Sequence, residues 1–212
     1  MNGLSKSLFV AVAGNIGAGK SSLTRLLAER FGWKPYFESV DDNPYLPDFY
    51  ADMKRWSFHL QIYFLANRFK HHKRMTESGD PVIQDRSIYE DAEIFAYNLH
   101  EIGKMEDRDY ENYVSLFGVM TDYLKSPDLM IYLRSSVDHL VEQISRRGRS
   151  FEQGIQREYL EQLNRHYERW ISGYQRGPLI IIESDGLDFV NRPSDLDKIG
   201  TLVRQKLESV AV

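Results

Sequence analysis

The sequence predicts an α/β protein with a parallel sheet, and three observations carry that expectation. Short apolar runs alternate with longer amphipathic ones along the whole chain. The first of these runs, "LFVAVA", leads directly into "GNIGAGKSS" and then into a helical pattern. No repeat, low-complexity tract or Pro/Gly/Ser-rich linker interrupts the 212 residues, so a single domain over residues 1–212 is expected.

The elements follow in order. Strands are expected near Leu8–Ala13, Pro35–Glu38, Pro81–Asp85, Leu129–Leu133 and Leu179–Glu183, each a short apolar stretch between turn signals. The first helix follows Gly19 and places Leu23, Leu26, Leu27 and Phe31 on one face. A long helix covers about Trp56 to Met75. It is apolar nearly all round at first, through Trp56, Phe58, Leu60, Ile62, Tyr63, Phe64 and Leu65, which predicts a central position. Its far end, with His71 and His72 among lysines, reads as exposed. "SIYE" at Ser87–Glu90 fits a capping box and starts a helix that runs past Phe95. Further helices fit Asp107–Lys125, Val137–Arg147, Gln156–Ser172 and Ser194–Glu208.

Composition narrows the function. Apolar residues make up 42% and charged residues 27%, ordinary values for a soluble globular protein. The formal net charge of −4, with only the short basic block Lys70–Arg74, argues against sequence-independent nucleic-acid binding. There is no cysteine, so disulfides and thiolate metal sites are excluded. No apolar stretch reaches membrane-spanning length and the N-terminus lacks a signal-peptide core, so a cytoplasmic protein is expected.

Gly14, Gly19, Lys20 and Ser21 satisfy G-x-x-x-x-G-K-[ST], the phosphate loop or P-loop. Across Gly14, Asn15, Ile16, Gly17, Ala18, Gly19, Lys20, Ser21 and Ser22, backbone N–H groups converge on phosphate oxygens. Lys20 reaches the outer phosphates and Ser21 offers a hydroxyl to Mg²⁺. ATP or GTP binding follows. The guanine-reading Asn/Thr-Lys-x-Asp of GTPase switches is missing from the sequence, and the length suits a small kinase.

Three stretches look like an acceptor side. In "YFESVDDNPYLPDFY", Glu38 ends the second predicted strand, where a carboxylate can take a proton from an acceptor hydroxyl. In "VIQDRSIYEDAEIF", Asp85 ends the third strand and suits Mg²⁺ opposite Ser21, while Arg86 suits phosphate and the steering of Glu38. Asp91 and Phe95 share a helix face, as do Gln61 and Arg68. Buried polar groups there demand partners. Arg68 and Asp91 either pair structurally or, with Gln61 and Phe95, line a nucleobase pocket. In "SRRGRSFEQG", Arg146, Arg147 and Arg149 around Gly148 suit a mobile lid, about residues 146–154, closing over phosphates.

With these residues in place the chain resembles the deoxynucleoside kinases, and specifically the bacterial deoxyadenosine/deoxyguanosine kinase branch. The resemblance runs nearly end to end, through "GNIGAGKSS", "FESVDDNPYLPDFY", "WSFHLQIYFLANRFK", "DRSIYEDAEIF", "RGRSFEQGIQREYLEQL" and "SDGLDF". It implies a P-loop kinase fold on a five-stranded parallel sheet, a homodimer packed through helices, and ATP- and Mg²⁺-dependent phosphorylation of a deoxynucleoside 5′-hydroxyl in nucleotide salvage. It further implies Glu38 as general base, with Arg86 and Lys20 in the transfer machinery and Ser21 and Asp85 serving the metal. Tyr50 and Glu152 would hold the sugar 3′-hydroxyl, and Gln61, Arg68 and Asp91 would read a base stacked on Phe95. Arg147 and Arg149 would be lid arginines, and Asp188 and Phe189 would lie in the loop near the ATP adenine. Two positions depart from the wider family: Asp85 stands where many members have Glu, and Gln143 where many have a lid-helix arginine.

Base chemistry favours an amino-bearing base. Gln61 can accept from an exocyclic amine and donate to the adjacent ring nitrogen, as adenine and cytosine require, while Asp91 would repel thymine O4. A donor such as Arg68 suits a purine N7. Deoxyadenosine is expected first, with deoxycytidine and deoxyguanosine open. Two other readings remain at this point. One is a nucleoside monophosphate kinase such as thymidylate kinase, whose acceptor dianion Glu38 would repel. The other is a nucleotide-binding regulatory subunit of a kinase heterodimer.

Overall fold

The computed structural model describes residues 8–37, 43–149, 152 and 154–210. Five parallel strands, β1 (Phe9–Gly14), β2 (Lys34–Tyr36), β3 (Val82–Asp85), β4 (Leu129–Arg134) and β5 (Leu179–Glu183), form one sheet in the order β2-β3-β1-β4-β5. All five lie within two residues of their predicted bounds. β1 is central because it is apolar on both faces: Phe9, Ala11 and Ala13 join one core, Val10 and Val12 the other. The strand order reverses beside β1, which opens a crevice at the carboxyl ends of β1 and β3. Val12 is in register with Asp85, so the residues following the two strands emerge side by side.

The helices cover both faces. On one side α1 (Lys20–Phe31) and α9 (Pro193–Val210) pack with Leu23, Leu27, Ile199 and Val203 on the sheet. On the other, α8 (Arg157–Ser172) lays Leu163, Tyr167 and Ile171 against Met130 and Tyr132. A satellite core joins α2 (Leu46–Ala51), α3 (Met53–Ser78), α6 (Asp107–Thr121) and the segment after β3. That segment begins as α4 (Ile88–Glu90), widens into π-helix over Asp91–Ala96 and ends as α5 (Tyr97–Glu101). The remaining helix, α7 (Val137–Arg147), stops at Gly148 in the left-handed conformation. No described helix is long and apolar enough to cross a membrane.

Two expectations need correction. The long helix α3 is not buried all round: its buried stripe is Ser57, Leu60, Gln61, Leu65, Arg68, His72 and Met75. Trp56, Phe58, Ile62, Tyr63 and Phe64 are only half-buried. The burial follows the 3.6-residue period rather than the apolar count, because one helix face meets the sheet and the satellite core. His72, expected at an exposed end, is on that stripe and 1% exposed, its ring edge-on to Phe9 at 5.0 Å between centroids.

Burial pushes the His72 imidazole down to about 4, against a hydrogen bond to the Lys125 backbone that pulls it up. Its Nε2 has no partner among the described residues. Because the folded protein disfavours the charged ring, the unfolded chain takes up the proton first. His72 therefore contributes stability above its ordinary value of 6.5 that is lost as pH falls toward 4, in total about 3 kcal/mol. Urea titrations at pH 7 and pH 4.5 should show a steep loss that His72→Phe flattens; the same slope in both proteins would remove His72 as its source.

Candidate active site

The phosphate loop is shaped by three glycines with positive φ: Gly14 at 152°, Gly17 at 87° and Gly19 at 88°. A Cβ at Gly17 would lie 2.8 Å from the Leu140 carbonyl oxygen, and one at Gly19 would lie 3.0 Å from the Phe189 ring. Asn15 pins the loop to α8: its Nδ2 donates to the Leu160 carbonyl at 3.0 Å and to Asn164 Oδ1 at 2.6 Å, while its Oδ1 accepts from Ile16 N–H at 2.7 Å. Lys20 opens α1 and is buried, with Nζ donating to the Asn15 carbonyl at 2.9 Å. The lysine is thus folded over its own loop, where the outer phosphates of a nucleotide would lie.

Asp85, 3% exposed at the end of β3, accepts a 2.5 Å hydrogen bond from Ser21 Oγ through Oδ2. Its other oxygen, Oδ1, is buried without a hydrogen-bond partner among the described residues. A buried carboxylate oxygen without a donor is costly unless something completes it. One carboxylate, one hydroxyl and the oxygens of a phosphate make the donor set that Mg²⁺ takes.

The chain turns sharply after Asp85. Arg86 has φ of 66°, the one positive φ outside glycine among the described residues, a strained conformation kept only where its surroundings enforce it. Arg86 N–H continues the sheet ladder to Val12 at 2.9 Å. Arg68 clamps the other side, its Nη1 donating to the carbonyls of Asp85 at 3.2 Å and Arg86 at 2.9 Å. Arg68 also makes a two-pronged pair with Asp91, Nε to Oδ2 at 3.0 Å and Nη2 to Oδ1 at 3.2 Å. The guanidinium of Arg86 stacks on the Phe95 ring at 4.3 Å and donates to Tyr167 Oη at 3.1 Å.

These elements line a cleft open to solvent, concave and edged by convergent polar groups as small-ligand sites are. Its walls include Lys20, Ser21, Tyr50, Gln61, Asp85, Arg86, Asp91, Phe95, Arg147, Arg149 and Glu152. Gln61 is 3% exposed, and its Oε1 has no hydrogen-bond partner among the described residues. Arg68 is not in the wall; it stands behind Asp91. The sequence left structural pairing and base reading open for these two, and the structure has Asp91 at the cleft with Arg68 supporting it. Burial pushes the Tyr50 hydroxyl well up, helped by Tyr159 and Glu152, so it stays protonated and can donate.

At the mouth, Arg147 grips Glu152 through Nε at 3.0 Å and Nη2 at 2.5 Å, and Arg149 Nη1 lies 3.6 Å from the same carboxylate. Arg146 turns away to Glu142 at 2.7 Å. A second hollow on the other side of the phosphate loop is lined by Gly17, Gly19, Gln143, Arg146, Asp188 and Phe189. Asn191 N–H donates to Asp188 Oδ1 at 3.0 Å, and this bond and the Asn191 side chain hold the Asp188 carboxyl below its usual range. Glu38 lies outside the described residues.

A profile described as deoxynucleoside kinase matches residues 10–208. The chain belongs to that family. It is a phosphotransferase acting on deoxynucleosides, and the family implies ATP as co-substrate. The deoxyadenosine/deoxycytidine kinase of Bacillus subtilis is 45% identical over 196 residues, covering 92% of this chain and 90% of the relative. A deoxyguanosine kinase of Lactobacillus acidophilus is 39% identical over 210 residues, covering 95% and 91%. The structure of deoxyadenosine kinase from M. mycoides with bound dCTP has a TM-score of 0.82 at 30% identity, covering 93% of this chain and all of that one.

Three residues of the kinase site escaped the sequence reading. Tyr159 lines the cleft from α8, its hydroxyl pushed up to about 12 by burial. Tyr167 and Glu90 support Arg86 from behind. The capping-box pattern was the one signal for Glu90, and it accounts for half of that carboxylate's bonds. The close approach at Gly17 is testable. Gly17→Ala must displace the loop, so ATP affinity by calorimetry should fall at least about tenfold, with a smaller change for the nucleoside. Unchanged ATP binding would mean that the loop relaxes freely.

Proposed function

We propose that this kinase transfers the γ-phosphoryl group of ATP to the 5′-hydroxyl of deoxyadenosine first, deoxycytidine next and deoxyguanosine third, within a single domain. The observation that carries the base preference is the unpartnered Oε1 of Gln61 at the cleft. An exocyclic amine on adenine or cytosine satisfies it while the amide N–H₂ donates to the neighbouring ring nitrogen. Guanine requires the amide to flip, and thymine leaves an acceptor facing Asp91. The name of the Bacillus subtilis relative, which couples deoxyadenosine and deoxycytidine, supports placing those two ahead of deoxyguanosine. The N7 contact expected of Arg68 is not part of this reading, because that guanidinium is committed behind Asp91.

Mg²⁺, when bound, would neutralise phosphate charge between Ser21 and Asp85, and the unpartnered Asp85 Oδ1 supports that fit. The residues of the chain supply the rest. Glu38 accepts the 5′-hydroxyl proton as the bond to phosphorus forms and the bond to the ADP oxygen breaks. Lys20, Arg86, Arg147 and Arg149 hold the phosphoryl oxygens as charge redistributes. Tyr50 and Glu152 take the 3′-hydroxyl, Phe95 stacks on the base, and Asp188 and Phe189 border the adenine of ATP. The assembly is proposed as a homodimer, supported by Val114, Leu116 and Val119, which leave an apolar stretch of α6 exposed.

An ADP-release panel with ATP and Mg²⁺ tests the assignment against the four deoxynucleosides, adenosine and dTMP. Turnover should rank deoxyadenosine, deoxycytidine, deoxyguanosine, thymidine; turnover of dTMP alone would overturn it. Glu38→Ala should keep both affinities while kcat falls about 10²- to 10⁴-fold, and near-normal kcat would end the base assignment. Gln61→Leu should lower kcat/KM for deoxyadenosine and deoxycytidine more than for thymidine; an equal loss on all bases would count against Gln61 as the reader. Asp91→Ala is a poor probe, since an uncompensated buried Arg68 would cost about 3–5 kcal/mol of stability.

A further inference from the structure

Glu90 is fully buried and does not line the cleft, yet its carboxylate joins three parts of the site. Oε2 accepts from Ser87 N–H at 2.8 Å and from Ser87 Oγ at 3.2 Å, closing the capping box that starts α4. Oε1 serves no local purpose. It accepts from the backbone N–H of Gly14, the first glycine of the phosphate loop, at 3.3 Å. It also accepts from Tyr167 Oη on α8 at 2.8 Å and lies 4.0 Å from Arg86 Nη1. Tyr167 in turn accepts from Arg86 Nη1 at 3.1 Å. Burial and the Glu90 carboxylate push the Tyr167 hydroxyl far up, so it remains a donor to Glu90.

We propose that Glu90, acting with Tyr167, is a positioning residue that sets the register between the phosphate loop and Arg86, and so between phosphoryl donor and acceptor. This rests on the role proposed above for Arg86. A helix cap needs only Oε2 and Ser87. The bonds from Oε1 run instead to the two groups whose separation an in-line transfer must fix. Arg86 sits on strained backbone, and its guanidinium also stacks on the Phe95 face. A loss of about 1 Å in such placement costs up to about a hundredfold in rate.

Three substitutions separate register from cap. Tyr167→Phe deletes the hydroxyl that bridges Arg86 to Glu90 and leaves their 4.0 Å ion contact and the capping box in place. Ser87→Ala removes one bond to Oε2 and leaves the Oε1 bonds. Glu90→Gln keeps the volume but must place an N–H₂ group against either Gly14 N–H or Ser87 N–H. Steady-state kinetics with ATP and deoxyadenosine, alongside thermal melts, should give Tyr167→Phe and Glu90→Gln a kcat about tenfold or more below wild type. KM for either substrate should stay within about threefold. Ser87→Ala should melt a few degrees lower with kcat unchanged.

Arg86→Lys is measured in parallel, because it separates this proposal from the reading beneath it. If Arg86→Lys loses turnover while Tyr167→Phe keeps it, the register proposal falls and the Arg86 role stands. If Arg86→Lys keeps full turnover, the Arg86 role falls and the register with it. Equal kcat losses in Ser87→Ala and Tyr167→Phe would reduce Glu90 to a structural cap and also overturn the proposal. Should Glu90→Gln not fold, Tyr167→Phe and Ser87→Ala still decide the matter.

Discussion

Six charged side chains are buried together behind and along the cleft floor, and the site depends on their balance. Lys20, Arg68 and Arg86 face Asp85, Glu90 and Asp91, none more than 7% exposed. An uncompensated charge at such depth costs several kcal/mol, so every one of them must be matched in place. The matching is also geometric. Arg68 clamps the carbonyls on both sides of the strained peptide between Asp85 and Arg86, and it orients Asp91 toward the cleft. The end of β3, the cleft wall at Asp91 and the phosphate loop are thereby one electrostatic unit. Three cations against three anions leave the floor near neutral, so surplus positive charge toward a triphosphate is found beyond it, on Arg147 and Arg149.

At the mouth the charge is already in reserve. Arg147 and Arg149 are both drawn to Glu152, a single buried carboxylate. Held this way the two cations are compensated in the free protein, yet both line the cleft. Under the phosphate role proposed for these arginines, binding would exchange one partner for another instead of baring a charge, which keeps the desolvation cost low. Arg146, paired with Glu142 beside the second hollow, stands apart from that exchange.

What could be read in the sequence was whatever is encoded locally. The five strands, the phosphate loop and most helices are short-range patterns of apolar period and turn chemistry, and their bounds agree to within a few residues at most positions. Asp85, Gln61, Asp91 and Phe95 were found because they stand at a strand end or on a helix stripe, whereas Tyr50 and Glu152 came only with the family resemblance. What was illegible depends on contacts between distant segments. The burial of His72 needs Phe9 of β1 beside it, and the sequence shows His72 only among lysines. Arg68 and Asp91 could be paired on paper, but which of them reaches the cleft is decided by the carbonyls of the turn after β3. The short helix α2 carries Pro47 at its start and too few turns for a period to register. Glu38, legible at the end of its predicted strand, lies outside the described residues.

The π-helical stretch shows why local rules stop short at this site. "SIYEDAEIF" reads as a plain helix with Asp91 and Phe95 one turn apart. In the structure the turn widens over Asp91–Ala96, and such widenings recur where side chains have a task that regular spacing would not serve. Here the residue just before the widening is Glu90, fixed by the cap, the phosphate loop and Tyr167. The residues inside it, Asp91 and Phe95, meet Arg68 and Arg86 respectively. A regular helix starting from the same cap would carry Phe95 to a different azimuth from the one at which it stacks under Arg86. The helix therefore gives up regular bonding where it must satisfy two fixed partners, the strained turn behind it and the cleft in front.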